Sequence, residues 1–404
     1  MNKEGNTQKG KKGNSVLRNA FSPRLLAAFV VKVLMGFLYG YIFLHYYNGD
    51  DTWKFFRASL AETELLLSNP KQFFINEFTP ANALQTGKNT VEIINIYLND
   101  LQYVLVVKSM AVMNLVTRGN YYLNSVIFNA IVFFGHYWLF RLLSELFPLK
   151  KKVYFLIIFF FLPAVFWLSG IRVDGLLFFF LSLYLYYMAG RHNNNFKRWL
   201  FVAIGFSGIV ICRPQVAVFT GLITIGYYAQ IRWGKPILAY GTVYLIAILL
   251  FFLPVGNISG KIAVKQNEFS KLKGTKFRLD NLDGSPASYM KVLPQAAGNT
   301  FLRPLPWEAK GFLYLMASAE VIVFWVIIIA AVLHRHTYWK IRLFHPVVLM
   351  LLMLGITTYI FIGYIVPFPG AIIRYKAIPE ILILCSMATL PRWHEHTNYN
   401  KIQY

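Results

Sequence analysis

Residues 153–190 read VYFLIIFFFLPAVFWLSGIRVDGLLFFFLSLYLYYMAG, and only Arg172 and Asp174 carry charge along that stretch. An apolar run needs about 20 residues to cross a bilayer as a helix, with tolerance from about 17. The stretch therefore reads as two crossings, 153–170 and 174–190, joined by the short hairpin Ile171-Arg172-Val173-Asp174-Gly175. Working outward, eight further segments qualify: 25–45, 121–143, 197–212, 214–231, 236–255, 311–333, 346–366 and 371–390. The pair 197–212 and 214–231 is divided at Cys212-Arg213-Pro214. Proline suits the first turn of a new helix and disfavours helical geometry in the residue before it. One long kinked helix is the alternative there.

Composition agrees with that reading. Of 404 residues, 57% are hydrophobic and 14% charged, with a mean hydropathy of +0.48. So little polar material cannot cover a water-facing globule, which excludes a soluble enzyme. The 36 Phe, 25 Tyr and 9 Trp suit lipid-facing surfaces and interfacial belts. Cys212 and Cys385 lie within or beside apolar runs, so no disulfide framework is expected. The basic N-terminus, with Lys9, Lys11 and Lys12, precedes an apolar run too long for a signal-peptide core.

The net charge is +23, from 40 Lys and Arg against 17 Asp and Glu. With the N-terminus inside, 20 of the 40 fall on cytoplasmic segments and four on short external connections: Arg172, Arg213, Arg374 and Lys376. That asymmetry follows the positive-inside rule, from which long loops are exempt. The cytoplasmic share of the excess charge is thus assigned to orientation and contact with anionic membrane lipids, not to nucleic acid. Lys32, inside the first helix, is expected to snorkel to the inner surface. The expected fold is an all-α, polytopic transmembrane helix bundle of about ten helices, N-in and C-in. Its parts are a basic cytoplasmic N-terminus (1–24), a membrane module (25–390) with external loops 46–120 and 256–310, and a cytoplasmic tail (391–404).

In the first external loop, Trp53, Phe56, Leu60 and Leu67 recur at helical spacing, which predicts an amphipathic helix on the outer face. A second interfacial helix is expected over 91–116, interrupted by Asp100 and Lys108. The loop 256–310 is Gly-, Pro- and Lys-rich, with a turn expected at 280–284.

Most carboxylates outside the helices fall on the external side, so chemistry is sought there. Asp50-Asp51 directly follows the first helix. Gly49 ending that helix and Asp51 or Thr52 capping the next is the structural reading. A general base or a metal-ligating pair is the functional one. Asp174 is either the cap of its helix or an acid at membrane depth, where ionisable groups are functional suspects. Arg172, Arg213 and Arg374 each stand on an external turn against the charge gradient. Guanidinium groups gathered on one face suit phosphate. Gly36-x-x-x-Gly40 reads as close helix packing. His334-Arg335-His336 and His394-Glu395-His396 lack metal-ligand spacing, and Asn257-Ile258-Ser259 fits a glycosylation acceptor by chance.

The order of these features resembles the GT-C fold glycosyltransferases, integral membrane enzymes that take a sugar from a polyprenyl-phosphate carrier. Asp50-Asp51 and the stretch Trp53–Leu67 match that family's acidic motif and amphipathic helices in the first external loop. The segment from Leu162 to Asp174 is similar to its Pro-x-x-x-(aromatic)-x-Ser-Gly turn leading to an acid. Arg213-Pro214 and Arg374-Tyr375 resemble its Arg-Pro and Arg-Tyr motifs. The resemblance covers residues 25–390. It departs from the family in that no large soluble domain follows, which leaves acceptor recognition to the two external loops.

The resemblance implies a polyprenyl-phosphate-linked sugar donor, a lipid, glycan or protein acceptor, and an active site on the external or periplasmic face of the cell membrane. Asp50 or Asp51 would serve as general base, with Asp174 beside it among the catalytic acids. Arg172, Arg213, Arg303, Arg374, Tyr375 and Lys376 are the candidates for the phosphate. No cofactor is required, though a divalent cation at Asp50-Asp51 stays open. The alternatives are a flippase or transporter of lipid-linked saccharide, and a polysaccharide polymerase.

Overall fold

A computed structural model describes residues 22–87, 89–254, 256–308 and 311–392. The basic N-terminus up to residue 21 and the tail from residue 393, with His394-Glu395-His396, lie outside the described residues. The described chain forms 19 α-helices, and its only β pairing is one isolated bridge between Arg335 and Pro391. The chain divides into two units. The first holds residues up to 134 together with 169–172, and the second holds 135–168 and everything from 173.

The first unit opens with α1 (Pro23–Tyr46), capped by Ser22 with Pro23 at its first position. Gly36 and Gly40 let α1 approach its neighbours closely: a Cβ at Gly36 would stand 2.5 Å from Asn129 Nδ2, and one at Gly40 2.3 Å from the Tyr121 ring. The packing expected of Gly36-x-x-x-Gly40 is therefore present. Lys32 does not snorkel. It is buried, and its Nζ donates to Ser169 Oγ at 3.1 Å, because a polar partner inside the unit satisfies it without reaching solvent.

The amphipathic helix expected after α1 is α2 (Asp50–Ser68). Its inner face is Thr52, Phe56 and Ser59, at helical spacing. Trp53 stacks on Tyr121 with ring centroids 4.0 Å apart, and its Nε1 donates to Gly40 O at 2.9 Å. Short helices α3 (Pro70–Ile75) and α4 (Ala81–Thr86) follow. The region 91–116 is α5 (Thr90–Tyr103), a π-turn at Val104–Lys108, and α6 (Ser109–Thr117). The interruption at Lys108 has a packing reason. Lys108 is buried, paired with Glu77 at 2.7 Å and Glu62 at 3.8 Å, and lies 4.7 Å from the Phe73 centroid. Buried amides join these helices: Asn114 donates to Ser59 Oγ (3.0 Å) and Thr63 Oγ1 (3.0 Å), and Asn124 to Asn114 Oδ1 (2.6 Å). Helix α7 (Tyr121–Leu146) begins in the first unit and ends in the second.

The second unit continues with α8 (Lys151–Phe160), a π-turn at Pro163–Trp167, and α9 (Val173–Ala189). The expected single crossing 153–170 is thus broken: Phe161 is extended, and Pro163 opens the π-turn two residues on. Next come α10 (Asn195–Cys212), α11 (Pro214–Trp233) and α12 (Pro236–Phe252). Arg213 is extended between α10 and α11, so these are two helices and not one kinked rod. The loop 256–310 carries two helices that its composition hid, α13 (Ile258–Lys271) and α14 (Pro286–Phe301). Gly284, at φ 90, turns the chain before α14, as expected for the 280–284 turn. Asn257 caps α13 through a bond from Gly260 N at 3.2 Å. The unit closes with α15 (Phe312–Leu333), α16 (Trp339–Leu343), α17 (Pro346–Ile365), α18 (Pro369–Tyr375) and α19 (Ala377–Met387).

Among the described residues, five helices are long and apolar enough to cross a membrane: α1, α7, α10, α15 and α17; α9, α12 and α19 are shorter apolar helices. On α12 and α15 the side chains of Leu245, Leu249, Ile322, Val326 and Ile329 are all at least half exposed. Contiguous aliphatic surface of that kind is stable against hydrocarbon and not against water. The protein is membrane-embedded.

Candidate functional site

The acids after α1 are displayed by a tight reversal. Asn48, Gly49 and Asp50 take φ of 52, 89 and 26 in succession. A non-glycine residue at such an angle stores about 1–3 kcal/mol of strain, and strain of this kind gathers at functional positions. Gly49 is the N-cap of α2 and offers no side chain, so neither Asp51 nor Thr52 caps the helix. Thr52 instead shares a hydrogen bond with Tyr121 OH at 2.9 Å. Both carboxylates turn to Arg172, whose Nη1 donates to Asp50 Oδ2 and Nη2 to Asp51 Oδ2 at 2.6 Å. Arg172 is buried, while the Asp51 side chain is 43% exposed. Tyr39 OH lies 3.5 Å from Arg172 Nη1, and Lys54 4.0 Å from Asp51 Oδ1. One guanidinium thus holds two adjacent carboxylates in a fixed orientation, and the more exposed of the two faces outward. Arg172 is an orienting partner of the acids here.

Within the second unit, Asp174 lies in the first turn of α9 and is buried. It accepts from Arg213 Nη2 at 3.2 Å. Pro214 ends the preceding helix, and the extended Arg213 carries its guanidinium to 4.5 Å from the Tyr375 ring centroid. Arg374 approaches the same ring at 5.9 Å, so the two guanidinium groups share one aromatic neighbour. Asp174, Arg213, Arg374 and Tyr375 all line one cavity of about 200 Å³. Its other walls are mostly apolar, among them Leu177, Ile262, Phe269, Leu354, Phe361 and Leu382, with Gln215, Lys265 and Thr358 the polar exceptions. Charged side chains thus share one cavity with apolar ones.

Two sequence candidates lie elsewhere. Arg303 pairs with Glu308 at 3.2 Å and stacks over Phe277. Lys376 is fully buried, 3.2 Å from Glu380 and 3.8 Å from Glu320, neither of which is exposed. Tyr359 donates to Glu380 (2.7 Å) and Trp167 to Glu320 (3.0 Å), which completes a polar knot inside the helices. The Lys376 charge is therefore spent on protein carboxylates; the i,i+4 spacing of Lys376 and Glu380 is the sequence signal for that. Conversely, Gln215 and Lys265 line the cavity and were missed. Lys265 sat unremarked in a Lys-rich loop whose helix was not recognised.

Among the described residues, no three or more His, Cys, Asp or Glu come together as a metal would require. A divalent cation at Asp50-Asp51 would compete with Arg172 for the same oxygens. Comparison with models of protein families, with curated proteins and with solved structures finds no match to this chain.

Proposed function

We propose that this protein is a multi-pass membrane glycosyltransferase of the GT-C type, moving a sugar from a polyprenyl-phosphate carrier to an acceptor on the external face of the cell membrane. The observation that carries the reading is the cavity in which mostly apolar walls are joined by Arg213, Arg374 and Tyr375. A prenyl chain matches the walls, and a phosphate matches the guanidinium groups. The orientation that goes with it is the ten-crossing, N-in and C-in arrangement, in which the turns bearing Asp50, Asp51, Arg172, Asp174, Arg213 and Arg374 are external.

In this reading the acceptor hydroxyl oxygen forms a bond to the anomeric carbon. The bond from that carbon to the phosphate oxygen breaks, and its electron pair leaves with the phosphate. The hydroxyl proton passes to Asp51 or Asp50. Asp51 is the better placed, since its side chain is more exposed than that of Asp50. Arg213 and Arg374 stabilise charge growing on the leaving phosphate, which then needs no general acid. Asp174 positions Arg213.

The reading is tested with purified protein and a polyprenyl-phosphate sugar, assaying released lipid phosphate. Asp51→Asn is expected to lose about 10²–10⁴-fold in rate, the contribution of a positioned base. Release at the wild-type rate by both Asp50→Asn and Asp51→Asn would refute the base assignment.

A further inference from the structure

Lys265 reaches the cavity from α13, a helix far along the chain from the turns that bear Arg213 and Arg374. Ile262, Lys265 and Phe269 all line the cavity, and their spacing puts them on one face of α13. The adjoining face is fixed in place. Ser259, Ala263 and Gln266 are buried, Gln266 donates to Asp280 O at 3.0 Å and accepts from Leu282 N at 2.8 Å, and Tyr289 OH donates to Ser259 O at 2.8 Å. Helix α13 is thus anchored by the following turn and by α14, and this fixed backbone carries Lys265, whose side chain is exposed, at the cavity lining.

The charges lining the cavity are Arg213, Lys265 and Arg374 against Asp174, a surplus of two positive charges. A phosphodiester carries one negative charge. A phosphomonoester carries about two at neutral pH. Without Lys265 the lining would match the diester; with it, the lining matches the monoester.

We propose that Lys265 is a specificity-determining residue that tunes this cavity to a dianionic prenyl phosphomonoester over a monoanionic phosphodiester. The inference rests on the transferase reading for its purpose, because the monoester is the group that departs when a sugar is taken from a phosphodiester. Favouring the departing form over the bound donor is how binding energy is directed at the transition state.

The test is equilibrium binding to the full-length detergent-solubilised protein, with farnesyl phosphate and its methyl diester as probes. Wild type is expected to hold the monoester about tenfold more tightly, the scale of one charge-assisted hydrogen bond. Lys265→Ala should shrink that ratio to below about threefold, chiefly by weakening the monoester, and Lys265→Arg should keep it. Lys261→Ala, an exposed lysine of α13 outside the cavity lining, should leave both constants unchanged. Equal affinities in wild type, equal weakening of both probes by Lys265→Ala, or the same loss from Lys261→Ala would overturn the proposal. Inorganic phosphate is expected to displace farnesyl phosphate only at far higher concentration; displacement at matched concentration would overturn the lipid as ligand. Sugar transfer enters none of these readings. A protein that discriminates the probes but transfers no sugar refutes the transferase and leaves the headgroup preference standing, and the reverse result separates them the other way.

Discussion

Arg172 shows how one side chain can decide between two readings of its neighbours. From sequence, Asp50-Asp51 was equally a helix cap and a reactive pair, because both uses place acids just after a helix. The structure removes the cap, since Gly49 takes that position and both carboxylates bind Arg172. Arg172→Met would leave two adjacent acids without their common cation. A loss of about 1–3 kcal/mol in stability is expected, discounted for the exposure of Asp51, and thermal unfolding in detergent measures it. Lysine at the same position cannot fork between two carboxylates and should recover less than half of the loss. At Tyr103, outside the span helices, burial first and Glu62 second push the phenol up to about 12, with its hydroxyl donating to Glu62 at 3.2 Å. The neutral form is the bonded one, so its contribution is complete below pH about 10 and disappears as pH rises through about 12. Ultraviolet difference titration of wild type against Tyr103→Phe should show one phenol ionising near the upper value; one ionising near 10 would contradict the assignment.

Between elements, contact distance sets what a substitution does. Gly40→Ala would drive a methyl into Tyr121, a residue held by Thr52 and Trp53, and overpacking of this sort costs about 1–3 kcal/mol. Gly241, inside α12, has nothing within 4 Å of its Cβ position, and Gly241→Ala should be neutral or stabilising by up to about 1 kcal/mol. A melting-temperature series that ranks the two the other way would show that α1 has room to move. The amphipathic helix α2 was legible because its apolar positions recur at helical spacing through a polar stretch. Helices α13 and α14 were not, because lysines and glycines mask periodicity, although Ser285-Pro286 is a cap followed by a first-turn proline. The break at Phe161 was obscured by hydrophobicity itself: an unbroken apolar run states that a segment is buried, and says nothing of where its backbone leaves helical geometry.

For the whole molecule, the apolar runs of about 20 residues made the helical, membrane-embedded character legible, while the number of crossings depends on how short helices are counted. Ten crossings return the C-terminus to the side on which the chain began; five would leave it on the opposite side. A reporter fused after residue 404 and active only outside the cell should stay silent, and activity there would refute the ten-crossing arrangement. Of the candidate site, Asp174, Arg213, Arg374 and Tyr375, singled out from sequence, line one cavity. Lys376 does not join them, and its i,i+4 spacing to Glu380 was the signal in the sequence for the carboxylate it meets instead.

That knot of Lys376, Glu320 and Glu380 also bears on how the protein is made. A charged residue at the centre of a lone inserting helix costs about 2.5–3.5 kcal/mol. Glu320 lies in α15 and is synthesised 56 residues before Lys376, its compensating charge. During biogenesis α15 therefore carries an uncompensated acid until α19 follows. The two segments are expected to partition into the bilayer as a pair, so a nascent chain halted after α17 should remain associated with the insertion machinery when the complete chain has left it.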